Sequence, residues 1–445
     1  MPKQEVAFLP NPATLLKGQP GDRSVLLDGR TGESWGDGLV IFAERPTAVL
    51  EVSASQCEDS PLESLQEFLD HHLDDRRSIG VAVVLSYDLK HAVEQLDRRL
   101  PWPASPVIYA AAFAWAYSAN RRTRRAHVIA NSREDLVRGL NRVNPDRDRG
   151  GRDGDGRART DTNGSILTAP RALMPRADYR RIIEAVKDYI RAGDIYQANL
   201  AQAFHFDIRR EHGAEVFDRW TSHYPTPYAA YVDGGDWSIL CNSPECFLDL
   251  DGNRISTFPI KGTRAIAPDR SLGDLRTELA SDPKELAEHL MIVDLERNDL
   301  GRLCQPGSVR VPVLQKVCEY PMLMHMVSEV TGRLRPDTRI ADILAATFPG
   351  GSITGAPKIR AMQIIEELEP IARGFYTGSV GWISPGGSAR FNIAIRSGIL
   401  DDRGLSFHAG GGIVADSDPD TEYRETYSKL RTLFRVLTEE VRTES

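Results

Sequence analysis

The sequence predicts an α+β fold built on antiparallel sheets. Three observations predict it: strand-like runs separated by helical patterns in the first third, a long helical stretch leading into further strands, and a closing meander with tight turns. In the first third, residues 24–27, 40–43 and 81–86 read as strands, and residues 64–73 and 132–143 as helices, from the period of their apolar positions. The stretch NPDRDRGGRDGDGRARTDTNGS that starts at 144 has one aliphatic side chain, Ala158, too little to repay the entropy of ordering. Residues 144–166 are therefore expected to be a linker or mobile surface loop between a region 1–143 and a region 167–441. Beyond it, residues 176–192 read as a helix and 195–206, 229–232 and 237–241 as strands. A helix at 359–368 precedes the meander of 375–383, 390–400 and 405–409, joined by Pro385-Gly386-Gly387 and Asp402-Arg403-Gly404 turns.

Apolar residues at 41% and charged residues at 27% are typical of a folded globular protein. The length suits two or three domains, or one large one. Lys and Arg total 55 against 63 Asp and Glu, a formal charge of −8, whereas polyanion binders present net basic surfaces. Nucleic acid is not an expected partner. No apolar run reaches the roughly 18 residues that span a bilayer, and residues 1–12 lack the pattern of a secretion signal, so a cytoplasmic protein without membrane contact is expected. The five cysteines, at 57, 241, 246, 304 and 318, form no CxxC pair and read as buried thiols of a reducing compartment.

Two helix starts resemble each other. Ser281-Asp282-Pro283 and Ser417-Asp418-Pro419 each offer a capping side chain followed by proline at the first helical position. Each then carries two glutamates on one helix face, Glu285 with Glu288 and Glu422 with Glu425. Either pair alone most often just solvates a helix. Brought together, four carboxylates repel unless a cation sits between them, and magnesium is the hard cation that takes carboxylates, water and substrate oxygens. Glycine clusters at 350–355, 378–381 and 410–412 could gather amides around an anion, although glycine as often makes ordinary turns. The first cluster runs into Ala356-Pro357-Lys358-Ile359 where a phosphate-binding loop needs Gly-Lys-Ser/Thr, so nucleotide binding is not expected. Lys261, at the end of a strand-like run and before a glycine, could be a nucleophile if partly desolvated; an exposed lysine on a strand end is the commoner case. Glu245 could be a general acid if burial raised its pKa.

Taken together, GDIYQANLAQ at 193, NSPECFL at 242, PIKGTR at 259, KELAEHLMIVDLERNDLGR at 284, FPGGSITGAPKIRAMQIIEELEP at 348, FYTGSVGWI at 375 and AGGGIVADSDPDTEYRETYSKL at 409 resemble the chorismate-utilising enzymes. That family includes anthranilate synthase component I, aminodeoxychorismate synthase component I, isochorismate synthases and salicylate synthases. The likeness covers residues 167–441 and implies two large sheets packed face to face with helices outside, a four-layer α/β/β/α arrangement.

The resemblance also implies roles. Glu288 and Glu425 would hold magnesium, with Glu285 and Glu422 supporting through water. Thr263 and the amides of Gly410, Gly411 and Gly412 would seat the ring carboxylate of chorismate, and Tyr376 and Arg396 the enolpyruvyl carboxylate. His325 and Lys429 match further active-site positions. Gln197 falls where hydrolytic relatives carry a water-activating lysine, so a water-adding reaction is not expected. Lys261 selects the branch, because aminodeoxychorismate synthases resemble PIKGT there and anthranilate synthases PIAGT. In the first group the lysine amine adds to C2 of chorismate while a glutamate matching Glu245 protonates the departing C4 hydroxyl, and ammonia then enters at C4 and expels the lysine. Cys246 and Ala265-Ile266 depart from the family's commoner residues after SPE and GTR. None of the cysteines is flanked by glycine as in a glutaminase elbow, so ammonia is expected from a separate glutamine amidotransferase subunit. Residues 24–28, SVLLD, resemble the family's tryptophan-binding LLES stretch; a structural tryptophan or a plain edge strand would each account for them.

Overall fold

The computed structural model describes residues 1–16, 22–30, 38–53, 56, 60–74, 77–94, 96–144, 169–266, 269–320 and 323–438. Apart from Asn144, the segment 144–166 lies outside them, as does Cys57. Two antiparallel sheets, of 12 and 10 strands, lie face to face.

Period-2 patterning makes the layers. In the strand Gly80–Leu85, Val81, Val83 and Leu85 enter the core outside the second sheet, while Ala82 and Val84 enter the core between the sheets. In the first sheet, Val25 and Ile41 face inward, while Leu26 and Phe42 face outward. There they share a core with Phe217 and Trp220 of the helix Gly213–His223 and with Leu430 and Leu433 of the helix Pro419–Thr438. The helices Pro61–Leu69, Pro283–Gly301 and Ile340–Thr347 cover the second sheet with Leu65, Val293 and Leu344. The order is helix, sheet, sheet, helix. Among the described residues no helix is long and apolar enough to cross a membrane, and Cys241, Cys246, Cys304 and Cys318 are buried.

The first third of the chain supplies strands to both sheets. Ser24–Asp28 pairs with Tyr228–Asp233 through Leu26 opposite Tyr231, and Gly80–Leu85 pairs with Ser379–Ile383 through Val83 opposite Gly381. Ser24–Asp28 is thus an interior strand, flanked by Leu39–Glu44 on its other side, and not a sheet edge.

Two expected strands are broken. The strand expected at 375–383 begins only at Ser379, because Thr377 takes φ 60° and Gly378 N–H donates to the Phe375 carbonyl at 3.1 Å in a turn. The strand expected at 390–400 is two strands in different sheets, Ala389–Asn392 in the second and Ser397–Asp401 in the first. Between them the chain crosses from sheet to sheet, and Arg396, at φ 48°, makes the last bend. The helix expected at 64–73 is α-helical only to Leu69, and Asp70–Asp74 form a wider π-type turn after it.

A buried ion pair joins the short helix Lys90–Val93 to the helix Lys358–Leu368. Lys90 Nζ lies 2.8 Å from Glu366 Oε2, with side chains 2% and 4% exposed. Removing one partner strands the other charge in the interior, so Glu366→Ala is expected to cost about 3–5 kcal/mol in urea unfolding. Replacing Lys90 with Met and Glu366 with Leu together should cost clearly less.

Candidate active site

Both acid-bearing helices start where their caps dictate. The Asp282 carboxylate accepts from Lys284 N–H at 3.0 Å and Glu285 N–H at 3.3 Å, with Pro283 as the first helical residue. Asp418 accepts from Thr421 N–H at 2.8 Å in the same way, ahead of the helix Pro419–Thr438. The two helices bring their glutamates near each other, since Glu288 feels the charge of Glu422. Burial, then the negative charges of Glu285 and Glu422, push Glu288 up against the pull of Lys261 and Lys284. Burial and Glu425 likewise raise Glu422, although Ser417 donates to it at 2.7 Å. Burial also opposes ionisation of Glu425, but Lys429 at 2.8 Å, with Lys261 and Lys284 farther away, holds it below the usual range. Glu285 accepts from Arg264 at 2.9 Å. Among the described residues no three His, Cys, Asp or Glu side chains converge as a metal-holding group; cationic side chains neutralise these acids instead.

The floor of the cleft is the strand Gly404–Ile413, paired with Gln197–Phe206. Gly410, Gly411 and Gly412 lie in this regular strand rather than in a loop. A Cβ on Gly411 would sit 3.4 Å from Glu422 Oε2, 3.5 Å from Lys429 Nζ and 3.6 Å from Glu425 Oε1, so bare backbone faces the acid pair. Lys429 also donates to the Gly410 carbonyl. A Cβ on Gly412 would meet Gln197 Nε2 at 2.3 Å. Gln197 is fully buried with neither amide atom hydrogen-bonded, a costly arrangement unless a ligand or water completes it. Gly378, in contrast, serves packing, since a Cβ there would come within 1.9 Å of the Leu85 carbonyl oxygen.

Lys261 enters from the wall. Its strand, Ile260–Ala265, pairs with Leu323–Arg333 as Lys261 opposite Met326 and then Thr263 opposite His325. Gly262 is the extra residue of this bulge and takes φ 67°, a conformation that favours glycine and re-aims the flanking side chains. Lys261 is half-buried, and loss of hydration pushes its amine below the usual lysine range, although Glu288 and Glu245 attract the proton. Glu245 is 4% exposed. Burial pushes its carboxyl up to about 7, against stabilising bonds from the Ser352 hydroxyl and the Ile260 amide and the pull of Lys261. A lysine that sheds its proton easily thus faces a carboxyl that keeps its own.

Beside them, the Thr263 hydroxyl lies 2.9 Å from His325 Nδ1. Burial and the nearby Arg396 push the His325 imidazolium down to about 3, so the ring is neutral near pH 7. Arg396 is half-buried and desolvated enough to fall to about 10. A guanidinium dehydrated in this way favours a bidentate anionic partner. Tyr376 lies near Asn199 and stacks on His408 at 5.5 Å and 14°. Many of the expected residues are therefore neighbours: Lys261 lies within electrostatic reach of Glu288, Glu245, Lys429 and Glu285, and Thr263 and Arg396 adjoin His325.

A family model described as chorismate binding enzyme matches residues 22–435. The chain belongs to this family. An anthranilate synthase component 1 of Haloarcula marismortui is 44% identical over 265 residues, 59% of this chain and 54% of that protein. An aminodeoxychorismate synthase component 1 of Klebsiella aerogenes is 43% identical over 274 residues, 61% of this chain and 60% of that protein. The chain thus spans somewhat over half the length of these relatives. The solved anthranilate synthase component I of Streptococcus pneumoniae superposes with a TM-score of 0.77 at 30% identity, over 91% of this chain and 93% of that one. The menaquinone-specific isochorismate synthase of Escherichia coli shares the fold, with a TM-score of 0.74 at 19% identity over 98% of this chain and 94% of that one.

Several residues that shape this chorismate-family cleft carry no motif readable in isolation. Buried Arg373 pairs with Glu369 at 2.7 Å and donates to the Ile353 carbonyl at 3.2 Å. Glu369 in turn accepts from Ala201 N–H at 2.8 Å. The pair fixes the turn that carries Tyr376. Charged residues four apart on a helical pattern could have flagged the pair, but nothing local marks it as buried.

Competitive labelling with a trace of acetic anhydride near neutral pH, read by mass spectrometry, is expected to acylate Lys261 faster than the exposed Lys284. Equal rates would mean that the Lys261 amine stays protonated.

Proposed function

We propose that the chain is component I of an aminodeoxychorismate synthase, which aminates chorismate at C4 with ammonia from a separate glutamine amidotransferase subunit. The observation that carries this reading is the half-buried Lys261 amine beside the buried, proton-retaining Glu245. In the covalent route the amine bonds to C2 of chorismate as the C4 hydroxyl leaves as water with the Glu245 proton. Ammonia then bonds to C4, the C2–N bond breaks, and lysine is released. Arg396 and Tyr376 hold the enolpyruvyl carboxylate; Thr263, Lys429 and the backbone at 410–412 lie by the ring carboxylate; neutral His325 stands beside the ring. Unpartnered Gln197 supplies no base for water, which favours amination over hydration.

Magnesium would be held by Glu288 and Glu425, with Glu285 and Glu422 behind water, once Lys429 and Arg264 let go of their glutamates. The ion would supply charge compensation for the ring carboxylate. Tryptophan is the proposed occupant of a cavity of about 430 Å³ between the sheets, lined by Leu27, Asp28, Tyr228, Trp382 and Asn392. Asp28 is already paired with Arg30 and Arg121, each at 2.6 Å, so the ligand's ammonium would compete for it.

Anthranilate synthase component I is the second reading, since relatives of both names are about equally similar. Incubation with chorismate, ammonium and magnesium decides: 4-amino-4-deoxychorismate is the expected product, and anthranilate as the main product would overturn the assignment. Without ammonia, mass spectrometry should find a substrate-derived adduct on the Lys261 peptide, absent in Lys261→Ala. Glu288→Gln and Glu425→Gln should each lower activity at least about tenfold and raise the magnesium needed. kcat/KM should fall on the alkaline side with an apparent pKa near 7, because Glu245 must be protonated, and fall on the acid side as Lys261 gains its proton.

A further inference from the structure

Beyond the cleft, the helix Pro283–Gly301 buries two more acids, Glu296 and Asp299, 3% and 2% exposed. Buried carboxyls need a partner or a proton. Asp299 has a cation: it pairs with Lys358 Nζ, which also donates to the Thr347 carbonyl at 3.0 Å. Glu296 instead accepts the Gly351 N–H at 3.0 Å. Burial, then the charge of Asp299, pushes Glu296 up against the pull of Lys358 and the Gly351 amide, with Glu245 adding to the rise, which favours its neutral form.

Gly351 opens the tight turn Gly351–Ile353, and the next residue, Ser352, places its hydroxyl near Glu245, where it favours the carboxylate. Helix and turn are in direct contact, since a Cβ on Gly351 would come within 2.6 Å of Leu295 Cδ2 and 3.0 Å of Glu296 Oε1. The far side of the turn is fixed as well. Asn199 N–H donates to the Thr354 carbonyl at 2.8 Å, and Arg373 to the Ile353 carbonyl at 3.2 Å. Glu296 therefore holds the backbone at Gly351, one residue from the hydroxyl that lies near Glu245.

We propose that Glu296 is a positioning residue for Glu245: by holding the Gly351 amide it sets the Ser352 hydroxyl against the acid. This rests on the reading of Glu245 as the general acid. A neutral carboxyl suits the task, because it accepts the amide bond without adding a second buried negative charge beside Glu245.

The test reads the Glu245 titration directly, by infrared difference spectroscopy of the carboxyl stretch against Glu245→Gln, together with kcat and KM for chorismate consumption. Ser352→Ala removes a donor that favours the carboxylate, so the Glu245 pKa should rise by about half a unit or more. Glu296→Ala should raise it in the same direction and lower kcat about tenfold, with KM within about twofold. The double variant should go no further than either single one, because both act through one turn. Glu296→Gln, which still accepts the Gly351 N–H, should restore titration and kcat. Where near-UV circular dichroism shows that the alanine variant misfolds, Glu296→Asp, one methylene too short to reach Gly351, takes its place. An unmoved titration in Glu296→Ala, or shifts that add in the double variant, would overturn the proposal. A wild type that consumes no chorismate sinks the functional reading instead, and the titration still reports whether Glu296 acts on Glu245.

Discussion

Strands that are apolar on both faces have to be covered twice, and this requirement sets the architecture. Val81, Val83 and Leu85 on one side and Ala82 and Val84 on the other cannot be satisfied by a single layer of helices. The two sheets therefore share a largely apolar interior and leave their outer faces to helices. A chain confined to this arrangement must at some point pass from one sheet to the other. One of several such passages is at residues 393–396, where a non-glycine residue at positive φ, Arg396, makes the bend. The bend that closes the fold is also what delivers a guanidinium to the cleft.

Charge balance shapes the cleft as strongly as packing shapes the sheets. Glutamates from two helices face Lys261, Lys429, Lys284 and Arg264, and burial works on each group through the loss of water. The outcome differs with local partners. Glu425, with an ammonium at 2.8 Å, remains an anion, whereas Glu245, held only by neutral donors and a more distant lysine, keeps its proton to about 7. One residue type thus serves two purposes in one pocket because its neighbours differ.

Much of this was legible in the sequence. The caps at Asp282 and Asp418, the acid pairs behind them and the alternating strands are local patterns, and local patterns survive into the fold. The breaks at 375–378 and 393–396 were not legible, because period-2 patterning continues through a crossing between sheets and only tertiary contact reveals the bend. Ser24–Asp28, read as a possible edge, lies inside a sheet because its neighbour Tyr228–Asp233 comes from a distant part of the chain. Glu296 was equally hidden: on sequence it is one acid among several on a helix, and only its depth and the Gly351 amide single it out. The placement of Lys261 rests on a bulge at Gly262, which a short lysine-glycine pair does not by itself announce.

The pairing of Val83 with Gly381 joins the opening quarter of the polypeptide to its closing one. During synthesis, the early strands emerge from the ribosome long before their partners exist, with hydrogen-bonding edges and apolar faces uncovered. Such a nascent chain is a natural client for chaperones, and its most vulnerable moment comes before the final strands are translated. A premature stop near the end would therefore remove more than a tail: it would leave a half-finished sheet with nothing to close it.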